Sequence, residues 1–83
     1  MTARQIEDRI RELEGVRVVI RANKNTPCGD YDYVNCASDN WRVSEFLNGR
    51  VRPAVGQHDV DVVRGDGKTA SGNMLMRTLR DSY

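Results

Sequence analysis

The run Gly65-Asp66-Gly67-Lys68-Thr69 is the first place to look for phosphate chemistry. A phosphate-binding loop needs G-x-x-x-x-G-K-[ST], because several consecutive backbone amides must wrap the phosphates. The first glycine of that pattern would fall at Val62, so the run reads instead as a turn with a helix start soon after it. Asp59, Asp61 and Asp66 raise calcium. The loop that binds it wants oxygen ligands at its first, third and fifth positions and glycine at its sixth. Those last two positions hold Val63 and Arg64. Arg64-Gly65-Asp66 also spells an adhesion-type tripeptide, which is coincidental in an intracellular chain.

Zinc would require His58, Cys28 and Cys36 to converge. The cysteines lack the close-spaced pairing of structural zinc sites, and no fourth ligand is specified. A Cys-His nucleophile pair is formally available, but nothing places the two side chains together. Asp30-x-Asp32 and Asp59-x-Asp61 each put two carboxylates on one strand face. Acid-base catalysis needs one of a pair desolvated, and these sit among polar residues and glycine. Charge that keeps an exposed strand from aggregating accounts for them equally well. No catalytic constellation, metal site or cofactor is therefore expected.

The arginines and aromatics carry the remaining signal. Arg17 and Arg21 share a strand face, Arg50 and Arg52 lie in a loop, and Arg42, Lys68, Arg77 and Arg80 follow. Tyr31, Tyr33 and Trp41 could supply stacking surfaces. Arginine with aromatics on a sheet is one route to single-stranded nucleic acid. The same residue types are enriched in protein-binding hot spots. Thirteen basic against twelve acidic residues give a formal charge of +1, without the basic excess of a general nucleic-acid binder. Mixed charge favours a specific protein partner over a polyanion. The reading is a small non-enzymatic interaction module, an inhibitor, adaptor or regulator, with a homodimer contact as a further option. A nucleic-acid-binding regulator is the alternative. Its partner-binding residues are expected to be Arg17, Arg21, Tyr31, Tyr33, Arg50 and Arg52. No motif carries a family resemblance; size and mixed charge alone are in the style of small phage or mobile-element proteins.

The elements that must position these groups follow from periodicity. Thr2-Ala3-Arg4-Gln5 is a capping box, and Ala3, Ile6, Ile10 and Leu13 draw an apolar stripe. With Gly15 as a C-terminal cap, residues 3–14 are a helix. Val16, Val18, Ile20 and Ala22 alternate with Arg17, Val19 and Arg21, giving a strand with one buried and one wet face. Residues 23–29 read as a loop and Asp30 to Ala37 as a second strand, paired antiparallel with the first. In that strand Tyr31, Tyr33 and Asn35 share one face. The pairing register, which decides whether the tyrosines join the arginines or face the core, is left open. Arg17 and Arg21 would otherwise pair with Asp30 or Asp32.

Ser38 or Asp39 caps a second helix carrying Val43, Phe46 and Leu47 and ending at Asn48-Gly49. Residues 50–58, with Pro53 and Gly56, read as surface loop. Asp59 to Arg64 is a third strand, and Ser71 starts a last helix bearing Met74, Leu75, Thr78 and Leu79. The expected fold is α+β, a two-layer single domain over residues 1–83 in the order α-β-β-α-β-α. A three-stranded mixed sheet would carry its helices on one face. The longest apolar run, Val18-Val19-Ile20, is too short to span a bilayer, and no signal-peptide pattern opens the chain. A soluble, cytoplasmic protein without membrane contact is expected, with both cysteines reduced.

Overall fold

The computed structural model describes residues 1–83. Helix α1 spans Ala3–Glu14. Its capping box forms as read: the Gln5 amide donates to Thr2 Oγ1 at 3.2 Å, and the Thr2 amide donates to Gln5 Oε1 at 2.8 Å. Gly15 closes the helix in the left-handed region at φ 72°, its amide donating to the Arg11 carbonyl. A side chain added there would meet nothing within 4 Å, so only backbone conformation opposes it. Gly15→Ala should therefore lower stability by about 1–2 kcal/mol, the left-handed penalty alone. A thermal melt of the variant checks this.

Strand β1, Arg17–Ile20, follows directly. Val16, Val18 and Ile20 are buried while Arg17 and Arg21 are exposed, as alternation requires. Its partner is β2, Val60–Val63, antiparallel, with Val18 opposite Val62 and Ile20 opposite Val60. These four valine and isoleucine side chains form the inner face. At the end of the ladder the Tyr83 hydroxyl bridges the two strands. It accepts from the Arg17 amide at 2.8 Å and donates to the Val63 carbonyl.

The second strand expected over Asp30–Ala37 does not form, so the sheet has two strands and not three. The segment is irregular because side chains from elsewhere take its backbone groups. Arg9 donates to the Tyr33 carbonyl at 3.0 Å, Arg50 donates to the Asn35 carbonyl at 2.7 Å, and the Ala37 amide donates to Glu14. With no middle strand, β1 and β2 become neighbours, and antiparallel pairing replaces a mixed sheet.

The second helical segment runs well past Gly49. It comprises α2, Val43–Phe46, then a π-helical turn over Leu47–Val51, then α3, Arg52–Val55. Residues 50–55 are thus helical where a loop was expected. A proline inside a regular helix clashes with the carbonyl four residues earlier and leaves it without a donor. That carbonyl is Gly49, and it accepts instead from the Tyr33 hydroxyl at 3.4 Å. The widened turn ends with the Arg52 amide donating to Leu47, five residues back. Widening of this kind lets a helix pass an irregular point without stopping.

The last helix, α4, spans Met76–Asp81 and starts later than Ser71. Leu75 stays extended because it bridges to Arg42, with the Val43 amide on Met74 and the Met76 amide on Trp41. The Gly65–Thr69 run is a turn: the Lys68 amide donates to Asp66 Oδ1 at 3.1 Å and the Arg64 amide to the Lys68 carbonyl at 2.7 Å. One hydrophobic cluster of 17 residues joins α1, both strands and the three later helices. A radius of gyration of 11.6 Å matches the roughly 12 Å of a compact chain this long. The outcome is a small α+β fold with a two-stranded sheet. No helix is long and apolar enough to cross a membrane.

Candidate functional site

The six residues expected to bind a partner do not form one patch. Arg17 is exposed on β1 and makes no ion pair or side-chain hydrogen bond. Arg21 is exposed but is held by Asp61 across the sheet, with Nε donating to Oδ2 at 2.8 Å. Its acid is therefore Asp61 and neither Asp30 nor Asp32. Asp30 pairs with the N-terminal amine at 3.4 Å. Arg52 donates to the His58 carbonyl at 3.2 Å.

Tyr31, Tyr33 and Arg50 lie elsewhere, around a buried carboxylate that the sequence reading passed over. Glu14 is the one buried charged residue, its side chain 0% exposed. Its signal was present: position 14 continues the spacing Ala3, Ile6, Ile10 by four, placing a carboxylate on the apolar stripe. Glu14 Oε1 accepts from the Ala37 amide at 2.6 Å and from Arg80 at 3.3 Å. Oε2 accepts from Arg50 at 2.8 Å and from the Tyr31 hydroxyl. Arg80 Nε also donates to the Glu14 carbonyl, and its Nη1 reaches Asp39 at 2.6 Å.

Aromatic rings finish this cluster. Tyr31 and Tyr33 meet edge to face with centroids 5.0 Å apart. The Arg50 guanidinium lies 4.3 Å from the Tyr33 ring centre and 5.6 Å from that of Trp41. The aromatic surfaces that could have stacked on bases are thus off the sheet, and Arg50 lies against two of the three. Every oxygen of Glu14 is engaged, so the cluster ties the 31–37 segment and α4 to the end of α1.

Burial raises the Tyr31 pKa well above the ordinary phenol value, and the Glu14 hydrogen bond and charge add to it against a smaller opposing effect of Arg50. For Arg50, burial works against the charge, but Glu14 and then Tyr31 outweigh it and raise its pKa. A raised phenol pKa means the fold prefers the neutral hydroxyl. That contribution is complete below the ordinary phenol pKa of about 10 and declines as pH rises above it towards the folded-state value. Wild-type protein should lose more stability between neutral and strongly alkaline pH than Tyr31→Phe, which has no proton there to lose. Urea melts of both proteins across that range check the difference.

A second feature is open to solvent. A groove of about 570 Å³ runs between α1 and β1. Arg4, Glu7, Asp8 and Arg11 line it from the helix; Arg17, Val18 and Val19 line it from the strand, with Lys24 at one end. Glu7 is committed to the Lys24 ammonium at 2.6 Å and the Ile20 amide at 2.8 Å. Asp8 faces Arg4 at 3.9 Å. Arg11 and Arg17 are both exposed and have no acidic partner. By spacing, Glu7 and Arg11 make a favourably ordered pair four apart on α1, but Glu7 pairs with Lys24 instead. Arg4 and Lys24 carry no sequence signal of their own, although Arg4 and Arg11, seven apart, share a helix face.

No three of the histidine, cysteine, aspartate and glutamate side chains converge as a metal-binding group. Cys28 and Cys36 are both free thiols, the first half-buried and the second exposed. Neither a family model, nor a curated protein, nor a solved structure matches the chain.

Proposed function

We propose that the chain is a non-enzymatic interaction module that docks a protein partner along the α1–β1 groove. One observation supports this reading above the rest: Arg11 and Arg17 line the groove as exposed guanidinium groups with no carboxylate of the chain to neutralise them. Every other arginine weighed as a binding residue already serves the fold. Arg21 holds Asp61, Arg50 and Arg80 hold Glu14, and Arg42, Arg52 and Arg77 brace loops. Arginine anchors of this kind carry much of the energy of protein interfaces. The inward placement of Tyr31 and the contacts of Arg50 on Tyr33 and Trp41 weigh against a base-stacking sheet face, so the nucleic-acid reading ranks second. The role as inhibitor, adaptor or regulator, and the cytoplasm as the place of action, belong to the same proposal.

The test is photocrosslinking in the source cell with a crosslinkable amino acid at Val19, which lines the groove beside Arg17, or, as control, at Lys68 beyond the far strand. Discrete protein adducts from position 19 and none from 68 support the groove. Equal labelling from both positions, or adducts to nucleic acid alone, contradicts it.

A further inference from the structure

One edge of the sheet has no neighbouring strand, and it borders the groove, where Val18 is 5% exposed. Ladder bonds alternate along an antiparallel strand. The Arg21 amide donates to the Asp59 carbonyl across the pair at 2.7 Å, so residues 17, 19 and 21 turn their backbone groups towards β2. Those of Val18 and Ile20 therefore turn the other way. The Ile20 amide is taken by Glu7, and its carbonyl by the Lys24 ammonium at 3.2 Å and the Ala22 amide. No hydrogen bond engages the amide or the carbonyl of Val18. The opposite edge of the sheet is closed, because the Ala70 amide donates to the Val62 carbonyl and Thr69 bridges to Val63.

Charge complements this edge. Four cationic side chains line the groove against two carboxylates, and both carboxylates are engaged within it. Arg4 and Arg11 lie about 10 Å apart along α1 at a rise of about 1.5 Å per residue. About three residues of extended chain cover that distance. An extended peptide of that length can follow α1 between Arg4 and Arg11 within the groove that Arg17 and Val18 line from the strand. A guanidinium receives a carboxylate through two parallel hydrogen bonds. Glu7 and Asp8, set among the cations, disfavour the continuous negative charge of a phosphodiester strand.

We infer that the groove takes an extended acidic segment of a protein partner, carboxylates on Arg11 and Arg17 and backbone on the Val18 edge. This assignment rests on the interaction-module reading above and adds the chemistry of the partner. The probe is a fluorescent peptide of about eight residues alternating Glu and Thr, which spans roughly 26 Å when extended. Its binding to the full chain is followed by fluorescence anisotropy at rising salt. Three controls accompany it: the same peptide with Gln for Glu, one methylated at alternate backbone amides, and a single-stranded oligonucleotide.

The expected result is that the acidic peptide binds at least about tenfold more tightly than the Gln peptide, with affinity falling as salt screens the charges. Arg11→Ala with Arg17→Ala should lose that preference, and backbone methylation should weaken binding. Equal binding of the Gln peptide, or tighter binding of the oligonucleotide through the same arginines, overturns the assignment. Binding unaffected by methylation removes the strand-edge geometry. If no peptide binds while position 19 still crosslinks a discrete protein, the acidic-segment assignment falls and the module reading stands; if both fail, both fall.

Discussion

Glu14→Ala should cost about 3–5 kcal/mol of folding stability, the range for removing one partner from a buried ion pair. The carboxylate is fully buried and serves two guanidinium groups, one phenol and one backbone amide. Its removal takes this acceptor from all four donors at once, although Arg50 keeps the Asn35 carbonyl and Arg80 keeps Asp39 and the backbone carbonyl of residue 14. Arg50 and Arg80 retain 14% and 19% exposure, so water relieves part of the penalty and the lower end of the range is expected. Glu14→Gln keeps the shape and one acceptor oxygen and should lose less, about 1–3 kcal/mol. Urea denaturation with both variants measures the order. The 31–37 segment should also exchange its amide hydrogens faster in Glu14→Ala, since the Ala37 amide and the Tyr31 hydroxyl are both tied to α1 through this carboxylate. A melt left in place would mean that the arginines and the tyrosine are held by other contacts.

Phe46→Ala is the second large effect, about 3–5 kcal/mol. Phe46 is the only phenylalanine and is 0% exposed. It ends α2 where the helix widens into the π-helical turn, so truncating it hollows the layer under both segments. Stability of roughly 0.05–0.15 kcal/mol per residue gives a chain of this length only about 4–12 kcal/mol in total. The substitution should therefore remove about a quarter or more of that total. The denaturant midpoint should move while its slope stays constant; a changed slope would point to a less compact native state instead.

Particular residues explain what could be read before the structure and what could not. Helix α1 was legible because its signals are local: Thr2 and Gln5 cap it, Ile6 and Ile10 stripe it, and Gly15 ends it. The alternation through Val16, Val18 and Ile20 likewise predicts a half-buried strand, and the strand forms. Asp30 to Ala37 alternates as well, but Tyr31, Tyr33 and Asn35 oppose Asp32, Val34 and Cys36, so polar and apolar side chains mix on both faces. Its conformation is decided by Arg9, Arg50 and Glu14, which are distant in sequence and take the backbone groups a strand would have used. Gly49 and Pro53 are local breakers that a widened turn accommodates, with Tyr33 capping the freed Gly49 carbonyl. Glu14 could have been found, as a charge on an apolar stripe. Its partners Arg50 and Arg80 could not, since nothing local tells an arginine turned inward from one turned outward. The same ambiguity spread the expected binding patch over residues that the fold separates.

The central claim is that the chain acts by holding a protein partner through Arg11 and Arg17. The most direct measurement is isothermal titration calorimetry of the crosslink-identified partner against wild type and against Arg11→Ala with Arg17→Ala. Exposed arginines without ion pairs should contribute about 0–1 kcal/mol to stability, so the melting point should hardly move. The account predicts at least about a hundredfold weaker binding by the variant, about 2.8 kcal/mol, with the fold intact. Unchanged affinity in a folded variant would contradict it.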